Sequence, residues 1–302
     1  GYDAVTADPT PGGIPGNANS TDGHGTCCAG IIAAVGNNGI GVAGVTWNSK
    51  IMPVRIGFGN YWTQTDWLVD GLTWPVDHGA DVLSNSWGGG SASSAIQNAI
   101  AYGNTNGRGG LGCPVFFASG NDNSAVSYPA LYPESIAVGA SSPCDERKSP
   151  SSCDGETWWG SNYGSSLDFV APGPLTTTVD ISGSGGYSST DYTSSFNGTS
   201  SATPHAAGAG ALLLAVAPGL THDQVRTYMR QTADDQVGPP SEDTAGFDNY
   251  MGYGRINCET LLLTVASSVA APTNLSCSSS GADALLSWTN GESYSQVQVS
   301  RG

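Results

Sequence analysis

Positive charge is scarce in this chain. Nine Lys and Arg stand against 25 Asp and Glu, a formal net charge of −16 at pH 7. Counterion release from a phosphate backbone therefore has no cationic surface to drive it, and nucleic acid is excluded as a partner. Charge of either sign is thin as well, at 11% of 302 residues, which argues against the charge-rich composition of a disordered chain. Long apolar runs are missing. Spanning a bilayer takes about 18–20 apolar residues in succession, and the longest candidate, 206–217, falls short, so no membrane span is expected. The start at Gly1 has no Met, no basic stretch and no apolar signal core, and reads as processed or truncated. Metal-ligand spacing is also lacking among Cys27, Cys28, Cys113, Cys258 and Cys277, and a neighbouring Cys-Cys pair is poor geometry for zinc.

What is abundant is Gly, at 43 positions, with Ser, Thr and Asn carrying the polar balance. That is the composition of a loop-rich extracellular protein, and the chain is long enough for one large core. Seven cysteines leave at least one free or paired outside the chain. Cys144 and Cys153 bracket an eight-residue polar loop, which a disulfide would close in an oxidising compartment; two unpaired surface thiols are the alternative. Cys28 and Cys113 read as buried small apolar residues.

Strand and helix signals alternate from about residue 24 to 265, the pattern of a parallel sheet covered by helices on both faces. Short apolar strands are expected at 51–56, 80–84, 114–118 and 135–138, and helices at 25–35, 64–78, 93–106, 200–217 and 221–231. Thr221 with Gln224 three residues on is a capping-box signal after the breakers Pro218 and Gly219. Residues 266–272 have linker composition. Period-two alternation resumes beyond them, so a truncated β segment is expected over 273–302.

Three segments could carry chemistry. Gly23-His24-Gly25-Thr26 sets an imidazole among glycines that allow close backbone approach; alone, such a histidine is more often structural. Asn197-Gly198-Thr199-Ser200 opens a small-residue helix whose positive end favours developing negative charge beside Ser200; alone, that serine is a plain helix cap. Ala118-Ser119-Gly120-Asn121 ends an apolar strand, and the amide could form a turn or donate to an oxyanion. The nucleophile elbow of α/β-hydrolases fails here, because its second glycine is replaced by Ala202.

The ordered set Gly-His-Gly-Thr, Ser-Gly-Asn and Gly-Thr-Ser-x-Ala-Thr-Pro-His resembles the subtilase family of serine proteases over about residues 1–265. Asn37-Asn38-Gly39, Ser84-Asn85-Ser86-Trp87-Gly88, Ser127-Tyr128-Pro129-Ala130, Val170-Ala171-Pro172-Gly173 and Gly252-Tyr253-Gly254 add to the match. The resemblance implies a three-layer αβα fold with a mostly parallel, doubly wound sheet, and a secreted or extracellular endopeptidase. In it His24 would be the general base, Ser200 the nucleophile and Asn121 an oxyanion donor. Ser86, Trp87, Gly88 and Ala118, Ser119, Gly120 would flank the primary specificity pocket. The partner implied is a protein or peptide substrate, and a monomer is expected. No cofactor is required for the chemistry; a structural calcium is implied at Val35, Asn38, Ile40 and Val42.

The family's Asp-Ser/Thr-Gly motif has no counterpart here. Asp3, Asp8 and Asp22 are the acids before His24, and the catalytic Asp is expected upstream of Gly1, so that His24 has no orienting carboxylate within the chain. A catalytically inactive, peptide-binding subtilase-like domain is the alternative reading. The 273–302 segment resembles the opening of a fibronectin type III module, through Pro272, Leu275 and Trp288.

Overall fold

A computed structural model describes residues 1–5, 22–57, 63–268, 273–280 and 283–289. In chain order the elements are β1 (Tyr2–Asp3), α1 (Gly23–Ala33), β2 (Val54–Arg55), α2 (Thr65–Asp77), β3 (Leu83–Asn85), α3 (Ser94–Gly110), β4 (Val115–Ala118), β5 (Ile136–Ser141), β6 (Phe169–Pro172), β7 (Thr176–Val179), β8 (Tyr192–Phe196), α4 (Thr199–Val216), α5 (His222–Gln231), α6 (Cys258–Ser268), β9 (Thr273–Ser280) and β10 (Asp283–Thr289).

Strands β3, β4, β5 and β6 lie side by side in that order and all run parallel. Because side chains alternate along a strand, each strand feeds both faces. Phe116, Ile136, Val138, Phe169 and Ala171 enter one core with α4, α5 and α6. Val115, Phe117, Ala137 and Val170 enter the other with α2 and α3. The three-layer α/β expectation follows directly from that division. β5 is buried along its whole length, as a strand covered on both faces must be.

Small residues set how closely α4 lies on the sheet. Ala202, Ala206 and Ala209 are fully buried, and a Cβ at Gly210 would come 2.9 Å from Phe116 Cζ. On its other side α4 packs against α1. α1 is in turn fastened to β7 by the Thr178 hydroxyl, which donates to the Cys27 carbonyl at 2.9 Å. The two helices whose first turns carry His24 and Ser200 are thereby locked as neighbours.

The expected strand at 51–56 pairs only at Val54–Arg55, parallel with β1. β7 and β8, an antiparallel pair, and α6 lie outside the sequence expectations. Cys144 and Cys153 form a disulfide with Cα atoms 6.4 Å apart. The expectation for Cys28 is corrected: Cys27 and Cys113 are buried, whereas Cys28 is only partly so, because its position on α1 turns it toward the cleft. β9 and β10 pair antiparallel within the β segment expected over 273–302; the part of that segment from 290 to 302 lies outside the described residues. Among the described residues no helix is long and apolar enough to cross a membrane.

Candidate active site

Four structural ends meet at one edge of the sheet: the start of α1, the ends of β3 and β4, and the start of α4. This is the carboxyl edge of the parallel strands, where α/β folds build their sites. His24 and Ser200 are half-buried and Asn121 is exposed. The sulfur of Cys28 joins the first two, lying 4.0 Å from His24 Nδ1 and donating to the Ser200 carbonyl at 3.5 Å.

That carbonyl is available for a reason written in the sequence. Residue 204, four positions beyond Ser200, is a proline inside α4, and proline has no N–H to return to the carbonyl four residues earlier. Ser86 Oγ donates to it at 2.8 Å instead. Ser200 Oγ donates in turn to the Ser86 carbonyl at 3.3 Å. The first residue after β3 is thus stitched to the first turn of α4.

Asn121 is oriented by Thr199. The Thr199 N–H and hydroxyl both donate to Asn121 Oδ1, at 2.8 and 2.9 Å. A backbone N–H can only donate, so the atom facing it is the amide oxygen, and Nδ2 must point the other way. It points past Gly198, where a Cβ would stand 3.2 Å from Asn121 Nδ2 and 3.5 Å from the Ser200 nitrogen. Gly198 has φ +94°, which favours glycine and leaves that space open.

Burial lowers the pKa of His24 below its usual 6.5, keeping the imidazole neutral and able to accept a proton. Burial also pushes the Cys28 thiol up to about 12, so it stays protonated and unreactive near neutral pH. Asp3 accepts from Arg55 at 3.1 Å and from the Val5 N–H at 2.9 Å. Asp22 is the N-cap residue of α1. Asp8 lies outside the described residues. Among the described residues no carboxylate accepts a hydrogen bond from the His24 ring; its polar neighbour is Cys28. His205 serves the fold instead, with Nδ1 2.9 Å from the Ser201 carbonyl.

Ser86–Gly88 and Ala118–Gly120 leave β3 and β4, which pair in register from Leu83↔Val115 to Asn85↔Phe117. The two exits therefore run side by side, and Ser127 ties down the second, donating from N and Oγ to the Ser119 carbonyl at 3.0 and 3.1 Å. A Cβ at Gly88 would sit 3.0 Å from the Tyr128 carbonyl, so any larger residue would have to push that backbone aside.

The loop at 35–42 offers oxygen donors only. Val35 and Ile40 are exposed, and Asn38 Oδ1 accepts the Ile40 N–H at 3.0 Å. With the carbonyls of Val35, Ile40 and Val42 the set suits a hard cation in kind, and supplies part of the roughly six to eight oxygens that calcium takes.

The sequence profile of the subtilase family matches residues 4–254. The chain belongs to the subtilase family. As a subtilase it is 36% identical over 245 residues to subtilisin from Bacillus pumilus, covering 78% of this chain and 76% of that one. It is 35% identical over 262 residues to thermitase from Thermoactinomyces vulgaris, covering 85% and 78%. It is 35% identical over 278 residues to a calcium-dependent protease of Nostoc sp., covering 82% of this chain but only 40% of that protein. Among solved structures, a protease from Pseudoalteromonas arctica superposes with a TM-score of 0.66 at 30% identity, over 80% of this chain and 70% of the other. The fibronectin type III-like reading of the tail draws no support from these relatives.

Thr199, Pro204 and Cys28 are the subtilase residues whose contributions the sequence reading missed. Thr199 and Pro204 stood inside a quoted motif, and the spacing from Ser200 to Pro204 was a usable signal. Cys28 shares the helix face of His24 by its four-residue spacing.

Proposed function

We propose that this subtilase is a secreted serine endopeptidase that cleaves peptide bonds through an acyl-enzyme on Ser200. The observation that carries the reading is the pair of Thr199 hydrogen bonds to Asn121 Oδ1, which leaves the Asn121 amide nitrogen and the Ser200 nitrogen flanking the same open position at Gly198, 3.2 and 3.5 Å from where a Cβ would stand.

In the proposed mechanism, extended substrate pairs with Ser86–Gly88 as an added strand. Its side chain at the scissile residue lies between Ser86–Gly88 and Ala118–Gly120. Ser200 Oγ turns from the Ser86 carbonyl to the His24 ring, which takes its proton as Oγ attacks the substrate carbonyl. The oxygen, now negative, is held by Asn121 Nδ2 and the Ser200 N–H. His24 then returns the proton to the leaving amine, and water releases the acyl group by the same steps. The acid that would orient His24 is proposed to be a residue other than Asp3 and Asp22.

Export is proposed from the Cys144–Cys153 disulfide, which suits an oxidising compartment. Calcium is proposed as a structural ion held in part by Val35, Asn38, Ile40 and Val42, with no step of the chemistry passing through it. Chelation should lower the melting temperature of the wild type and leave Asn38→Ala unchanged; equal shifts in both would remove this site from consideration.

The test of the main reading is labelling with a fluorophosphonate alongside casein hydrolysis. Ser200 should be the residue modified, and Ser200→Ala should lose both labelling and hydrolysis. Hydrolysis that survives in Ser200→Ala would sink the assignment.

A further inference from the structure

A loop outside the quoted motifs reaches both halves of the candidate oxyanion hole. It opens at the Cys144–Cys153 disulfide and ends at Gly160. Lys148 fixes it from inside. The lysine side chain is fully buried; Nζ lies 3.0 Å from Asp154 Oδ1 and donates to the carbonyls of Ser149 and Glu156 at 2.7 and 2.6 Å. A buried ammonium is tolerated only when its protons all find acceptors, and here three oxygens meet it.

Glu156 projects from this anchored loop toward the catalytic edge and is 4% exposed. Its Oε2 accepts the indole N–H of Trp159 at 2.7 Å. Its Oε1 accepts from Asn197 Nδ2 at 3.1 Å, and Asn197 leads directly into Gly198, Thr199 and Ser200. Four residues after Glu156, Gly160 donates its N–H to the Asn121 carbonyl at 3.2 Å and accepts the Asn123 N–H at 2.9 Å. A Cβ at Gly160 would come 2.8 Å from Asn123 Cβ, so only glycine lets the segment pass so near. One short stretch therefore grips the turn that carries Asn121 and the turn that carries Ser200.

Resting on the roles given above to Asn121 and Ser200, we propose that Glu156 is a positioning residue for the oxyanion hole. Through Asn197 it sets where the Ser200 N–H stands relative to the Asn121 amide. Glu156 touches neither substrate nor reacting atoms. A carboxylate suits the task because it offers an acceptor to each of two donors from separate elements. Moving it leaves the Trp159 or the Asn197 N–H without a partner. The donors it aligns act on charge that develops only in the transition state.

In the full chain, Glu156→Ala should lower kcat by about 10- to 100-fold, as misplacement of catalytic groups does, while KM stays within about two-fold. Affinity for a peptide boronate, whose tetrahedral adduct with Ser200 puts an oxygen in the hole, should weaken by the same factor as kcat/KM. Asn197→Ala should reproduce the loss, and the double variant should be no worse than either single one. Glu156→Gln, keeping one acceptor, should lie between wild type and Glu156→Ala. All rates are taken per active site titrated with fluorophosphonate, so a merely structural role would change the number of sites and leave the rate at each unmoved. Wild-type kcat per site in Glu156→Ala, or losses that multiply in the double variant, would overturn the proposal. Should Glu156→Ala fail to fold, wild-type rates in both Asn197→Ala and Glu156→Gln would overturn it equally. Activity in Ser200→Ala marks failure of the underlying reading; an inactive Ser200→Ala beside a fully active Glu156→Ala marks failure of this proposal alone.

Discussion

His24 is the residue on which pH should act first. Burial is the cause that lowers its pKa, and an orienting carboxylate would work in the opposite direction. The acid limb of kcat/KM reports the free enzyme's base, so its midpoint is expected below 6.5 in a pH–rate profile. A midpoint above 6.5 would mean that a carboxylate governs the ring. The side chains named for chemistry were legible because each sits in a run of several constrained neighbours: Gly23-His24-Gly25, Ser119-Gly120-Asn121, Gly198-Thr199-Ser200. Their supports were harder to read. Glu156 belongs to no motif, and nothing in the order of residues says that a carboxylate 41 positions before Asn197 will end against its amide. Contacts of that kind are created by folding and leave no local periodicity.

Helices proved easier to place than strands. α4 and α5 were foreshadowed by a small-residue run and by a capping box, and Thr221 Oγ1 does accept the Gln224 N–H at 3.2 Å while Gln224 Oε1 accepts the Thr221 N–H at 2.9 Å. Thr221→Ala should cost about 1 kcal/mol, read as a lower urea midpoint with an unchanged slope. The effect reaches beyond α5, because Arg226 and Arg230 on that helix hold the buried Asp168 beside β6, through Nε atoms 2.7 and 2.5 Å from Oδ1. An unaltered midpoint would show that these ion pairs hold α5 without its cap. The hairpin of β7 and β8 escaped the sequence reading because Thr, Ser and Gly fill it, leaving little apolar alternation to detect. α6 begins at an Asn257 side chain that accepts the Thr260 N–H at 2.9 Å, a start signal that was present in the sequence and passed over. The two-residue strand β1 is too short for any pattern to mark, whereas β2 is the paired remnant of the strand expected at 51–56.

For the molecule as a whole, acid is the expected stress. His24 and His205 both have pKa values lowered by burial from 6.5. Below 6.5 the unfolded chain binds protons that the folded chain resists, so stability is full above that pH and is lost as pH falls toward the lowered folded values. Melting temperatures should hold level from pH 8 to about 7 and decline between about 6.5 and 5; a flat profile through that interval would remove these histidines from the account. The fold class was legible at this level because alternation of strand and helix is a property of the entire chain.

Thr199, one position ahead of Ser200, grips Asn121 from a different part of the chain with two bonds to a single oxygen. Any drift of α4 therefore carries the amide along with the serine. Parting the two side chains would require both Thr199 bonds to break together, so their relative placement is set by the fold itself.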